Sequence, residues 1–128
     1  MATDTEMITG VDFALLHCTD AEASKKFYEE TLGLPLRKQW GEMPAYEFDT
    51  DNLTLALMQS DAFGQKFAKS SGAVAFQVAD FDAAKAELES RGVKFATDVI
   101  DSGMCKQAYF EDPDGNGLAI HQRYEGKG

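Results

Sequence analysis

The chain repeats one pattern twice, and this repeat limits its fold more than any other feature of the sequence. Two segments align without a gap, VDFALLHCTD over residues 11–20 and SGAVAFQVAD over residues 71–80. Each is a short apolar run that ends in Asp, and a helical pattern and then a glycine follow. Because the start signal, the period and the stop agree in both places, we predict two copies of one supersecondary unit.

The two copies carry matching helix signals. In the first, Thr19–Glu22 (TDAE) fits a capping box, so Thr19 is predicted to cap a helix over about residues 20–32 that Gly33 ends. In the second, Asp80 is the predicted N-cap, apolar residues recur at helical spacing, and Gly92 is the predicted stop. Each helix is therefore expected to follow directly on a buried strand.

Three short strand-like segments follow each predicted helix, separated by polar turns rich in Gly, Pro and Asp. The predicted strands are Leu36–Trp40, Ala45–Phe48 and Leu53–Met58 in the first copy, and Val93–Ala96, Lys106–Phe110 and Leu118–Gln122 in the second. Each copy thus reads βαβββ. We predict one domain over residues 1–128, with module 1 at about 8–59, a polar linker at 60–71 and module 2 at about 72–124.

Composition and charge exclude several classes of function. The 128 residues include 12 Lys and Arg against 22 Asp and Glu, a formal net charge of −10. This balance argues against non-specific nucleic-acid binding, which needs clustered basic residues. The apolar runs are too short for a transmembrane helix, and no secretory signal is visible at the N-terminus. Two cysteines do not make a disulfide framework, so we expect a cytoplasmic protein.

The repeat resembles the modules of the vicinal oxygen chelate superfamily, which includes glyoxalases, extradiol dioxygenases, fosfomycin-resistance enzymes and bleomycin-binding proteins. The residues that carry the resemblance are Phe27-Tyr28, Leu32-Gly33-Leu34, Val74–Asp80 and the turn within Tyr109–Asn116 (YFEDPDGN). The resemblance implies an α+β fold in which two tandem βαβββ modules form an incomplete eight-stranded mixed barrel around a cleft, with the helices outside. It also implies a homodimer.

The resemblance further implies where a metal ion would bind. Members that use a metal place a ligand seven residues before the Asp that begins each helix, which gives Phe13 and Ala73 here. The closing-strand Glu lies four residues after the turn glycine in the second module, which gives Ala119, and Ala56 is the equivalent in the first. None of these side chains has a donor atom, so we expect no metal and no other cofactor.

Alternation along the strands predicts which side chains line the cleft instead. Every second residue of a strand points to the same face, and the residues beneath the helices are apolar. Alternation places Phe13, Leu15, His17, Thr54, Met58, Gln77 and His121 on the opposite face. Together with the aromatic residues Trp40 and Tyr109, they are the predicted ligand-binding residues. Such a mainly apolar surface with a few polar groups is typical of a small-molecule site.

Several of these residues allow more than one interpretation. His17 and His121 are candidates for ligand contacts, for a general base, or for a relocated metal site with Glu47 or Glu111. Trp40 is a candidate for stacking on a flat or cationic ligand, and equally for a core or dimer-interface aromatic. Tyr46 and Tyr109 carry the same ambiguity.

Three functions remain open from the sequence. The first is a metal-independent binding protein that sequesters a hydrophobic or cationic small molecule, with no nucleic-acid or membrane partner. The second is a metal-dependent or histidine-based lyase, isomerase or dioxygenase of the glyoxalase type. The third is a structural or regulatory module whose cleft is filled by its own side chains, such as Phe13, Trp40 and Met58.

Overall fold

The two copies of the repeat form two similar sheets in the computed structural model, which describes residues 7–124. Module 1 consists of β1 (Phe13–Cys18), helix α1 (Ala21–Lys26), a π-helical turn (Phe27–Thr31), β2 (Leu36–Gln39), β3 (Ala45–Asp49) and β4 (Thr54–Gln59). A 3₁₀ turn (Ser60–Phe63) opens the linker. Module 2 consists of β5 (Ala73–Gln77), α2 (Phe81–Ser90), β6 (Ile100–Asp101), β7 (Cys105–Glu111) and β8 (Gly117–Arg123).

Both sheets have the same topology. The strand orders are β1-β4-β3-β2 and β5-β8-β7-β6. The first strand of each module lies parallel to the last, and the other pairs are antiparallel. The two four-stranded sheets are not joined into a closed barrel, which confirms the predicted α+β fold of two tandem βαβββ modules.

One hydrophobic core serves both modules. The helix-facing residues of module 1, such as Leu16 and Leu57, belong to the same buried cluster as Leu88 and Ile120 of module 2. The sheets therefore turn their helix-facing sides towards a shared interior. We call the opposite side of each sheet its outward face.

Polar contacts also join the modules at the turn between β7 and β8. The Tyr28 hydroxyl in module 1 donates a 2.7 Å hydrogen bond to the buried carboxylate of Asp112. The Asn116 side-chain amide donates to the backbone carbonyl of His17 at 2.8 Å and to Asp112 at 2.8 Å. Gly115 closes this turn with φ of +87°, a conformation that favours glycine. The turn before the last strand of module 2 thus contacts the first strand and the helical segment of module 1.

The prediction of Thr19 as the N-cap of α1 is wrong. Asp20, and not Thr19, is the N-cap, because its carboxylate accepts from the amides of Glu22 and Ala23. Thr19 instead donates its hydroxyl and its backbone N–H to Asp114. The predicted cap of α2 at Asp80 is confirmed. Gly33 and Gly92, the predicted stops, both have positive φ angles.

The predicted strand at Val93–Ala96 is also wrong. This segment forms no strand, and the second strand of module 2 is the short β6, which pairs Ile100 with Gln107. Val93 is buried in the shared core, and its amide binds the Leu88 carbonyl at the end of α2. The last residue of this segment still donates a backbone hydrogen bond to the Tyr109 carbonyl of β7 at 2.7 Å, but this contact does not extend into a strand. Across residues 7–124, no helix has the length and apolar character needed to cross a bilayer.

Candidate functional site

The outward faces contain all nine residues that the sequence predicts for ligand binding. None of the nine belongs to the shared core cluster. Strand pairing places Phe13, Leu15 and His17 of β1 beside Thr54, Ala56 and Met58 of β4, and Gln77 of β5 beside His121 of β8. Six of the nine lie in module 1, and three, Gln77, Tyr109 and His121, lie in module 2.

Three aromatic rings pack together on the outward face of module 1. The Trp40 ring is 6.4 Å from the ring of Phe13 and 6.1 Å from that of Phe63, centroid to centroid, and both pairs are edge-to-face. Phe63 comes from the 3₁₀ turn after β4 and was not among the predicted residues. The sequence signal for it was weak, because it is a single aromatic residue within a polar linker. These side chains fill part of the face, and Ala56 and Met58 on it are buried.

A carboxylate lies beside this aromatic cluster. Glu47 of β3 pairs with Ala56 of β4, so its side chain lies on the outward face. The Trp40 indole N–H donates a 2.7 Å hydrogen bond to Glu47 Oε2. Lys38 of β2 is opposite Glu47 in the strand register, but it is not part of any ion pair within residues 7–124. The sequence could not predict the indole–carboxylate pair, because a bend of the chain at the β2–β3 turn creates it.

His17 is fixed at the end of β1. Its Nδ1 atom shares a 3.0 Å hydrogen bond with the hydroxyl of Ser60, and Ser60 is buried. The Asn116 amide holds the backbone carbonyl of the same residue. Ser60 therefore orients the imidazole and Asn116 fixes the backbone beneath it, while the second ring nitrogen stays available for another partner.

The outward face of module 2 has fewer aromatic side chains and more polar ones than that of module 1. Gln77, His121 and Gln107 lie in one row across three strands, and the Tyr109 hydroxyl donates to Gln107 Oε1 at 3.3 Å. Three further side chains on this face are alanines. Ala73 and Ala75 on β5 are exposed, and Ala119 on β8 is buried. This face offers amide, imidazole and phenol groups above small side chains.

The residues present do not fit a metal ion of the kind that the resemblance implies. Phe13, Ala56, Ala73 and Ala119, at the implied ligand positions, carry only hydrocarbon side chains. Within residues 7–124, no three His, Cys, Asp or Glu side chains come together as a metal-binding group. His17 and His121 lie on different sheets.

Tyr46, whose role the sequence left open, is structural, and so is Cys18. Tyr46 belongs to the shared core, and its hydroxyl donates to Glu22 of α1 at 3.1 Å. Burial, followed by this hydrogen bond, raises the pKa of Tyr46. Cys18 is fully buried, and loss of hydration raises the pKa of its thiol to about 12, so it is not a nucleophile at neutral pH.

A groove of about 1160 Å³ runs between the modules along the free edge of β5. Its wall consists mainly of helix-facing apolar residues, such as Leu34, Leu55 and Phe76. Of the predicted ligand residues, only Gln77 and His121 line it. This groove thus lies mostly on the opposite side of the sheets from the predicted ligand residues.

Comparison with known proteins gives consistent matches over most of the chain. The family model described as "Glyoxalase/Bleomycin resistance protein/Dioxygenase superfamily" matches residues 10–120. The uncharacterized protein YraH of Bacillus subtilis (strain 168) is 27% identical over 115 residues, which cover 80% of this chain and 90% of YraH.

Solved structures share the fold. A glyoxalase/bleomycin resistance protein/dioxygenase from Nocardioides superposes with a TM-score of 0.76 at 24% identity, covering 96% of this chain and 89% of that one. A glyoxalase family protein from Bacillus anthracis superposes with a TM-score of 0.79 at 21% identity, covering 92% of this chain and 98% of that one. At these identities the likeness concerns the fold alone.

Proposed function

Because the chain belongs to the glyoxalase/bleomycin resistance protein/dioxygenase superfamily, we propose that it is a small-molecule binding protein that works without the metal site of its enzymatic relatives. It holds a hydrophobic or cationic compound on its outward faces by shape, aromatic contact and a few hydrogen bonds. The observation that carries the proposal is that the side chains at all four implied ligand positions are hydrocarbon. These residues are Phe13, Ala56, Ala73 and Ala119. Sequestration needs affinity and no reacting group, so it tolerates those residues.

The composition of the two outward faces supports binding. Module 1 offers an aromatic and aliphatic surface with one carboxylate, and module 2 offers amide and imidazole groups. Sites for small molecules typically combine an apolar surface with a few placed polar groups. Trp40, Met58 and Thr54 are the proposed contacts in module 1, together with the β1 residues, and Gln77, Tyr109 and His121 are the proposed contacts in module 2.

We propose that the working unit is a homodimer. Phe13 is 46% exposed and Leu15 37% exposed on the outward face of module 1, and β1 and β5 each have a free edge. Exposed apolar strands with free edges readily take up further strands or another chain. A second copy covering these faces would turn two open surfaces into one enclosed site. The two cysteines, both free, fit the proposed cytoplasmic location.

A metal-free enzyme is the second candidate, and the hydrogen bond between His17 and Ser60 favours it. An imidazole held at Nδ1 keeps Nε2 in a fixed direction, as a general base requires. Such an enzyme would be a lyase or isomerase that removes a proton from its substrate. Replacing His17 by Asn would then abolish turnover and leave binding of the substrate largely intact.

The test is a thermal-shift and calorimetry screen of dialysed protein against aromatic and cationic compounds. Binding to the folded state raises the melting temperature in proportion to the logarithm of ligand concentration. We expect stabilisation that Phe13→Ala weakens and that Val99→Ala, an exposed apolar control in module 2, preserves. If no compound stabilises the protein, or if purified protein carries stoichiometric metal that His17→Ala removes, the proposal fails.

A further inference from the structure

We infer that the outward face of module 1 binds an organic cation whose charge is spread over methyl or aryl groups. The binding residues are Phe13, Trp40, Glu47 and Phe63, which we call the cation site. This inference rests on the proposed function and adds to it the ligand class and the location. The juxtaposition of one carboxylate with three aromatic rings carries it.

The carboxylate of Glu47 is oriented but not neutralised. Its Oε2 atom accepts the indole N–H of Trp40, and its Oε1 atom has no hydrogen-bond partner within residues 7–124. Glu47 is partly buried and lies beside the indole ring of Trp40. A partly dehydrated anion of this kind gains from a cationic partner, because one hydrogen bond does not replace its lost hydration.

The aromatic rings favour a diffuse cation. Tryptophan attracts cations more strongly than the other aromatic residues, and the rings of Phe13 and Phe63 lie within 6.4 Å of the Trp40 ring. A primary ammonium needs several acceptors, and a hard metal cation needs several oxygens. Around Glu47, the buried neighbours Ala56 and Met58 offer none. A quaternary ammonium needs no hydrogen bonds at all.

The cationic side chains nearest in register to Glu47 do not pair with it. Lys38 is opposite Glu47 on β2, and Arg37 lies at the register shift beside Lys38. Both are exposed, and neither forms an ion pair in the described part of the chain. Glu47 is therefore open to a cationic ligand, which the net charge of −10 for the whole protein also attracts.

The only tryptophan of the chain lies in the cation site, so its fluorescence reports binding directly. The probes are choline and 3,3-dimethylbutan-1-ol, which has the same shape without the charge. We expect saturable quenching by choline and at least about tenfold weaker binding of the neutral alcohol. Glu47→Gln keeps an acceptor for the indole N–H but removes the charge, so it should weaken choline about tenfold and leave the alcohol unchanged.

A matched control separates the site from the overall charge. Glu29→Gln removes one negative charge, as Glu47→Gln does, at an exposed position on the π-helical turn, and it should leave choline binding unchanged. The native protein supplies a second measurement that does not depend on how a variant folds. Choline affinity should fall several-fold between about 20 and about 200 mM NaCl, while the affinity of the alcohol stays constant.

The outcomes separate this inference from the proposed function. If choline and the alcohol bind equally, or if neither salt nor Glu47→Gln weakens choline, the cation site is wrong although small-molecule binding stands. If neither probe binds while other compounds stabilise the protein, the cation site is again wrong. If no compound of any class binds, both proposals fail.

Discussion

At the scale of single residues, Asp112 shows how a charged group can be buried without strain. Its carboxylate accepts hydrogen bonds from the Tyr28 hydroxyl, from the backbone amides of Asp114 and Asn116 and from the Asn116 side chain. Bonds to a charged acceptor are stronger than those between neutral groups. The carboxylate therefore stays satisfied while it links the turn of module 2 to the first helix of module 1.

Removing the Tyr28 hydroxyl tests this link. We expect Tyr28→Phe to lower the free energy of unfolding by about 1–3 kcal/mol, because Asp112 stays buried and loses one donor. Chemical denaturation measures the change. Tyr109→Phe is the control, since its hydroxyl bond is longer and only part-buried, and it should cost less than about 0.5 kcal/mol. Equal costs for the two variants would show that the link contributes little.

The buried thiol of Cys18 predicts a loss of stability at alkaline pH. Burial raises the pKa of this thiol from an ordinary value of 9.0 to about 12 in the folded chain. Between these values the unfolded chain binds fewer protons than the folded one, so stability falls as pH rises, by up to about 1.4 kcal/mol per pH unit. Burial also raises the pKa of Tyr28, which acts in the same direction.

Unfolding curves between about pH 8 and pH 11 check this slope. Cys18→Ala should make the fall of stability with pH less steep, because the variant lacks this titrating thiol. The variant should also be less stable at every pH because of the cavity it leaves. A slope that Cys18→Ala leaves unchanged would contradict the assignment.

The sequence predicted side-chain positions well within strands, where successive side chains point to opposite faces. It predicted them poorly where two loops meet. Alternation along β1 separated Leu16, which lies in the core, from Phe13 and His17, which do not. Phe63 and the partnership of Trp40 with Glu47 were missed. They depend on how the linker and a turn bend over the sheet, and no local pattern in the sequence encodes that bend.

At the scale of elements, the two helices begin in similar ways and differ in what precedes them. Asp20 and Asp80 both cap their helices, and Thr19, just before the first cap, donates to Asp114 of the other module. The capping box predicted Thr19 as the cap, one residue before the observed one. The contact between Thr19 and Asp114 is tertiary, so no local pattern in the sequence indicates it.

A double-mutant cycle distinguishes the two roles of Thr19. If Thr19 acts through Asp114, Thr19→Ala should lower stability in the native chain and have little effect in an Asp114→Ala background, measured by chemical denaturation. A helix cap would cost about 1 kcal/mol in either background. Asp20→Ala should lower stability equally in both backgrounds. If Thr19→Ala also does so, Thr19 acts as a helix cap and the contact with Asp114 contributes little.

The repeat also predicted the elements of module 2 with one failure, at β6. A run such as Val93–Ala96 has strand-forming residues, but burial of Val93 in the core outweighs that tendency. The sequence therefore defined which elements exist more reliably than it defined the edge of the sheet, where few neighbours constrain a strand.

At the scale of the whole molecule, the repeat does not say how its two copies face each other. The structure turns both helix-facing sides inward, so one core joins the modules. Each outward face is then part of the surface of a single chain. The predicted ligand residues consequently lie on two faces, six in module 1 and three in module 2, which alternation within one module could not reveal.

The shared core predicts one cooperative unfolding transition. Asn116→Ala in module 2 should lower the unfolding midpoint seen by Trp40 fluorescence in module 1, and by the same amount as the midpoint seen by far-ultraviolet circular dichroism. Gln107→Ala, on the outward face of module 2, should shift neither much. Separate midpoints for the two signals would show modules that unfold independently.

The β7–β8 turn has a consequence for how the protein is made. A ribosome releases residues 17 and 28 well before residues 112 and 116, which hold them in the finished fold. The nascent first half therefore emerges with its strand carbonyl and tyrosine hydroxyl still solvated by water. Its native packing must wait for the second half, so during translation this half depends on chaperones or on fast completion to escape aggregation.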